Sequence, residues 1–341
     1  MRLLVLTQAV DLEDRALGFF HTWLGAFSPH FDALEVVCLK EGEHALPRNV
    51  RVHSLGKERG RSRLRYALTF YRYALTLRYD AVFVHMNEEY VLMGGLLWRL
   101  MRKKVILWRN HKMGSWRTRL AVGLSHEVCY TSPEAFTARY PKALRMPIGV
   151  DTDFFTPPAA APPAESVLFF GRLDSVKKVE VFIEALKEVR RAFRAEIVGS
   201  PTEPDSPYAE EMRVLAQPLI EEGKLSMHPA VPYERTAELY RQHAIYVNLT
   251  PSGSFDKTIG EAMASGCLVV CVNHAVRGTL SEALFVESIT PEATAEALTG
   301  ALALSDEERK ELVLQSRTYV EREHSLRLLT RRLADILKPH A

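Results

Sequence analysis

The chain has 341 residues, 47% apolar and 25% charged, a composition that fits a folded protein of two domains and excludes a disordered one. No stretch approaches the roughly 18 apolar residues needed to span a bilayer, and the start MRLLVLTQAVDLED has too short an apolar run for a signal peptide, so the cytoplasm is the expected compartment. The net charge of +2 hides an asymmetry: residues 1–150 carry 23 Lys and Arg against 13 Asp and Glu, the remainder 21 against 29, so the halves face different partners or each other.

In chain order, residues 3–6, 34–39, 81–84, 105–107 and 127–130 read as short buried strands, with a loop at residues 7–10 after the first. Helical stretches fall between them, residues 64–77 being the clearest, and this alternation predicts a parallel sheet with helices on both faces. From Lys57 to Arg119 there are 15 basic and 4 acidic residues, interleaved with Tyr66, Phe70, Tyr71, Trp98 and Trp108. Such a surface suits phosphate or anionic lipid, or else pairs with the acidic second half. No recognition motif for nucleic acid accompanies it, and no nucleic-acid partner is expected.

Four prolines between Thr156 and Ala164 forbid a helix or central strand there, which predicts a linker at 156–165 between domains 1–155 and 166–320. Beyond it, 167–170 is predicted as a strand, 179–193 as an amphipathic helix, 195–198 as a strand and 236–242 as a helix. The stretch TPSGSFDKTIGEAMASG, residues 250–266, lies between apolar runs at 245–247 and 268–270 and reads as loop and helix, capped by Gly266. Ser305 with Glu308 predicts a capping box, and Leu326, Leu329, Leu333 and Ile336 line one face of a last helix ending before Pro339. Residues 321–341 are expected to cross back to the first domain. Cys38, Cys129, Cys267 and Cys271 lie in or beside apolar runs without CxxC spacing, so buried thiols are expected and no structural zinc.

Three constellations could carry chemistry. Gly171, Arg172 and Lys177 follow a strand, where two cations can converge on a diphosphate through charge-assisted hydrogen bonds or remain solvated surface charges. Asp256, Lys257 and Glu261 open a helix whose unpaired amides favour an anion, and Glu261 could accept from a ribose or simply suit the helix dipole. His85 and His111 end two parallel strands, where such sheets deliver side chains to ligands. A cleft between two doubly wound domains is the expected site.

Taken together, YDAVFVHM, KKVILWRNHK, MPIGVDTDFF, LFFGRLDSVKKVEVFIEAL and SFDKTIGEAMASGCLVV, in that order, resemble the retaining glycosyltransferase family 4. The resemblance covers nearly the whole chain. It implies the GT-B fold, α/β, with two Rossmann-like domains facing across a cleft, an N-terminal acceptor domain and a C-terminal nucleotide-sugar domain. It implies that Arg172 and Lys177 hold the donor diphosphate with Gly171, that Glu261 grips the ribose, and that Asp256, Lys257 and Thr258 complete the donor side. His111 matches the histidine that approaches the transferred sugar, and His85 and Lys112 fall on the acceptor side. No metal or cofactor is implied, the nucleotide-diphosphate sugar being a substrate, and no Asp-x-Asp metal motif is found. The expected reaction is retaining transfer of a hexose to a glycan, lipid-linked or cell-envelope acceptor, as in polysaccharide biosynthesis, by a protein resting peripherally on the inner face of an anionic membrane.

Two departures mark the match. Where the family has a sugar-contacting glutamate this chain has Gly253, leaving Asp256 as the nearest acid, which is expected, by side chain or backbone, to take over part of the sugar contact as a catalytic residue beside His111, Arg172 and Lys177; residues 7–10 lack the family's paired glycines. Two other readings stay open: a nucleotide-sugar epimerase of the same architecture, and a non-catalytic nucleotide-sugar or membrane-binding relative.

Overall fold

The computed structural model describes residues 1–14, 17–203, 206–279 and 281–338. It divides into two compact units, Met1–Gly149 with the C-terminal helix Leu326–Leu337, and Val150–Ser325.

In the first unit seven parallel strands, β1 (Arg2–Val10), β2 (Ala33–Glu41), β3 (Val50–Ser54), β4 (Ala81–His85), β5 (Lys104–Trp108), β6 (Glu127–Tyr130) and β7 (Ala143–Arg145), lie in the order β3-β2-β1-β4-β5-β6-β7. Between them run α1 (Gly18–Phe27), α2 (Arg63–Thr76), α3 (Glu88–Leu100) and α4 (Trp116–Leu124). Alternate strand residues feed two cores. Leu3, Val5, Phe83 and Ile106 meet α1 and the C-terminal helix, whereas Leu4, Leu6, Val82 and Val105 meet α2, α3 and α4.

Residues 7–10, expected as a loop, continue β1: Thr7 pairs with Cys38, Ala9 with Lys40 and Val10 with Glu41. Thr7, Ala9 and Val10 are buried there, so packing against β2 extends a strand that its polar residues had suggested was ending. Strands β3 and β7 went unpredicted. They are short edge strands with exposed positions and lack the continuous apolar run that marks a central one.

The second unit has five parallel strands, β8 (Ser166–Phe170), β9 (Arg194–Val198), β10 (Leu225–His228), β11 (Ile245–Asn248) and β12 (Leu268–Cys271), in the order β10-β9-β8-β11-β12. Its helices are α5 (Val179–Glu188), α6 (Pro207–Glu221), α7 (Tyr233–Arg241), α8 (Lys257–Ala264), α9 (Pro291–Ala303) and α10 (Asp306–Tyr319). α5 forms because Val179, Phe182, Ile183 and Leu186 fill one stripe and bury completely or nearly so, each large side chain contributing roughly 1.5–3 kcal/mol. It ends five residues earlier than expected, since Val189 turns to extended backbone and Phe193 is delivered to the core just ahead of β9. Ser305 and Glu308 cap α10 reciprocally, worth about 1 kcal/mol.

The first unit closes at Gly149, ahead of the linker expected from Thr156. Residues 154–157 are held within the second unit: Arg241 donates to the Phe154 and Thr156 carbonyls at 2.9 Å, and Pro157 packs against Gly266. The last helix closes at Leu337, and Pro339 lies outside the described residues. All four cysteines are buried with free thiols, burial pushing that of Cys38 up to about 12. No helix among the described residues is long and apolar enough to cross a membrane.

Candidate functional site

The second unit gathers its chemistry at the C-terminal ends of β8 and β11, where parallel sheets present loops to ligands. β8 is followed by Gly171 and Arg172, and the loop returns through Lys177 to α5. Gly199, at the end of β9, approaches so closely that a Cβ there would lie 1.9 Å from the Gly171 carbonyl oxygen, so only glycine lets the two loops pack.

β11 ends in Asn248, and the chain crosses through Thr250 and Gly253 to Asp256. Asp256 is the N-cap of α8, its Oδ1 accepting from the Thr258 amide at 3.2 Å and the Thr258 hydroxyl at 2.9 Å. Its Oδ2 accepts from Lys177 Nζ at 2.7 Å, Asn248 Nδ2 at 3.1 Å and Thr250 Oγ1 at 3.2 Å. Lys177 also donates to Thr250 Oγ1 at 3.1 Å. Five contacts match or exceed the roughly four acceptor sites of a carboxylate, so Asp256 is engaged by the protein itself. Burial alone would raise its pKa, but the Lys177 charge and hydrogen bond, with those from Asn248 and Thr258, hold it well below the usual carboxylate range.

Lys177 is thereby drawn to the N-terminal end of α8, while Arg172 stays exposed and pairs with the Asp174 carboxylate at 3.4 Å. The helix starts at Lys257, which puts Glu261 in the second turn and not at the helix start as expected. There it is buried and accepts weakly from the Tyr240 hydroxyl at 3.4 Å. Burial raises the Glu261 pKa, Lys257 opposing it, and burial lowers that of Lys257 against the pull of Glu261 and Asp151. Burial thus disfavours the charged form of both groups. The Tyr233 hydroxyl, also influenced by the Glu261 and Asp151 charges, is buried with no hydrogen-bond partner among the described residues. Asn248, Thr250 and Tyr233 escaped sequence reasoning. Their only signal was position, at a strand end or a helix start.

Gly253 is buried with φ 149°, a backbone region that disfavours any side chain. A glutamate is excluded from this loop as it is folded here.

In the first unit the two histidines part company. His85 is buried, stacked on Phe20 at 4.2 Å between centroids, with Trp23 edge-on at 5.7 Å and Thr7 Oγ1 3.5 Å from Nδ1. It is a packed core histidine, because β1 continues beside it and α1 covers it. His111 is exposed, and its Nδ1 lies 3.0 Å from the Met113 amide nitrogen and 3.2 Å from the Met113 carbonyl oxygen. Its loop is pinned by Arg109, which pairs with Glu88 at 2.7 Å and donates to the Met113 carbonyl at 3.0 Å. Lys112 is exposed beside it. Among the described residues no group of three His, Cys, Asp or Glu is arranged to hold a metal.

Comparison with known proteins finds likenesses to glycosyltransferases. Residues 164–303 match the family model described as glycosyl transferases group 1. A D-inositol 3-phosphate glycosyltransferase from Xylanimonas cellulosilytica is 29% identical over 194 residues, covering 50% of this chain and 45% of that protein. Another of the same name, from Acidothermus cellulolyticus, is 31% identical over 141 residues, covering 37% and 32%. The matched segment thus spans less than half of each curated relative. Over the whole chain the fold matches Anabaena HepE, solved in complex with UDP and glucose, at TM-score 0.77 and 16% identity over 99% of both chains. It also matches sucrose-phosphate synthase from Thermosynechococcus elongatus, at 0.74 and 16% over 98% of both. The fold is that of the GT-B glycosyltransferases.

Proposed function

Taking residues 164–303 as a group 1 glycosyltransferase domain, we propose that this chain is a retaining hexosyltransferase that moves a sugar from a nucleotide-diphosphate donor to a glycan or lipid-linked acceptor of the cell envelope. The observation that carries the reading is the Lys177–Asp256 pair at the N-terminus of α8, beside the buried Glu261. It sets a cation at the positive end of a helix, where a diphosphate would lie, with a carboxylate one turn on for a ribose.

In this reading the bond from the anomeric carbon to the diphosphate oxygen breaks first, leaving an oxocarbenium-like sugar and extra negative charge on phosphate. Arg172 and Lys177 stabilise that charge, the role a divalent cation plays elsewhere, and each such donor is worth roughly 3 kcal/mol. The acceptor oxygen bonds to the anomeric carbon on the face the phosphate leaves, and its proton passes to the departing phosphate oxygen. Asp256 acts as a positioning residue, holding Lys177 at the diphosphate, while Gly171, Lys257 and Thr258 line the donor side. His111 approaches the sugar or acceptor, with Lys112 nearby. The reaction is set in the cytoplasm, on the inner face of the membrane.

UDP-glucose is the first donor to try, since HepE was solved with UDP and glucose. A nucleotide-sugar panel read by thermal shift should find a donor, a ligand at 100 times its Kd adding about 2.7 kcal/mol. The anomeric configuration of the transferred sugar then tests retention by NMR. No stabilising nucleotide sugar, or an inverted product, would sink the reading. The backbone at Gly253 favours a second reading, a donor-binding protein without transfer, which binding without product would support.

A further inference from the structure

Helices α2, α3 and α4 form one layer on the first unit's sheet. Tyr71 donates to the Met93 carbonyl at 3.0 Å, and Arg99 donates to the Leu124 and Gly123 carbonyls at 3.2 and 3.1 Å. α2 buries Phe70 and Ala74 toward that sheet, yet it has a second apolar face. Leu64, Leu68, Tyr71 and Leu75 recur at i, i+4, i+7 and i+11, within about 60° of arc, and all are exposed, Leu64 at 70%. Its neighbours repeat the pattern: α3 exposes Leu96 and Leu100, the latter at 75%, and α4 exposes Trp116, at 70%, and Leu120.

Arginines rim this apolar layer. Arg65 and Arg72 are exposed on α2, Arg99 on α3, and Arg117 and Arg119 on either side of the Trp116–Leu120 pair on α4. From Lys57 to Arg119 basic residues outnumber acidic ones by 15 to 4, so two copies meeting through this face would oppose like charges. Leucine with a lone tryptophan, rimmed by arginine, is the composition of a surface that dips into headgroups.

We infer that the outer face of α2, α3 and α4 docks on an anionic lipid bilayer, the leucines and Trp116 entering the acyl boundary while the arginines meet lipid phosphates. This deepens the membrane part of the proposed function and rests on that part alone, because binding is read without any sugar transfer.

The test uses the full chain with vesicles of phosphatidylcholine alone or mixed with phosphatidylglycerol. The chain should sediment with the mixed vesicles and not the neutral ones, and Leu68→Gln with Leu75→Gln should weaken this about tenfold at unchanged melting temperature. Arg65→Gln with Arg72→Gln should weaken it most at low salt. Trp116 supplies a second readout: Trp23, Trp98 and Trp108 are each 2% exposed or less, so a blue shift on adding mixed vesicles belongs to Trp116 and disappears in Trp116→Phe. Sedimentation that the leucine exchanges leave intact, or an unmoved Trp116 emission, overturns the inference. So does a concentration-dependent dimer that those exchanges dissolve, which would give the face to a second copy. None of these outcomes touches the transfer reading.

Discussion

Lys177 Nζ lies 2.7 Å from Asp256 Oδ2, tying the loop after β8 to the first turn of the helix after β11. Both side chains are 14% exposed. A pair so enclosed is costly to break from one side only, and this coupling separates fold from function at the proposed donor site.

Lys177→Met and Asp256→Asn should each destabilise the protein by about 3–5 kcal/mol, by leaving one buried charge alone. The double variant should be milder than the sum, with a coupling of about 1–3 kcal/mol in denaturant unfolding. Transfer should nonetheless fall about a hundredfold in every variant lacking Lys177. Additive stabilities would mean the pair is not a unit.

The same pair sets an acid dependence. Asp256 has a folded pKa below its ordinary 3.8, so its stabilisation is fully present above that value and is lost as pH falls through the folded value. The melting-temperature gap between wild type and Asp256→Asn should therefore stay level from about pH 7 to 5 and close under more acid conditions. A gap that widens toward acid would contradict the assignment.

Arg172 is exposed and only loosely paired, so Arg172→Ala should leave stability within about 0.5 kcal/mol. If it meets the leaving diphosphate, kcat/KM should drop about a hundredfold. Wild-type turnover would remove it from the site.

The histidines should respond in opposite ways. His85→Ala opens a cavity among Phe20, Trp23 and Thr7 and should cost about 2–4 kcal/mol of stability. His111→Ala should melt like wild type while slowing transfer about tenfold or more. A stable His85→Ala would refute the core placement.

Gly253→Ala forces a side chain into a buried loop at φ 149°, and a loss of about 1–2 kcal/mol is expected in thermal or denaturant unfolding. Gly253→Glu, which restores the residue of the family pattern, should be worse still and gain no activity.

Some of this could be read directly from local chemistry. Alternating apolar runs announced the central strands, since a strand buried on both faces must be apolar throughout. Ser305 with Glu308, the stripe on α5 and the glycine after α8 are likewise signals carried within a few residues. Arg172, Lys177 and Glu261 stood out by their place after a strand or on a helix, and the order of the motifs added a family resemblance.

Other features have no local signature because they arise from contacts between distant segments. Thr7–Val10 is strand because β2 lies alongside, and His85 is core because α1 covers it, although by strand position it looked equivalent to His111. Asp256 was read as an acid for the donor side, yet Asn248, Thr250 and Lys177, the last 79 residues upstream, claim its oxygens. The chain by itself determined which residues could pair, bury or carry charge. Only the folded sheets decided which of them meet, because a hydrogen bond or a packed ring depends on separation in space, which spacing along the sequence does not set.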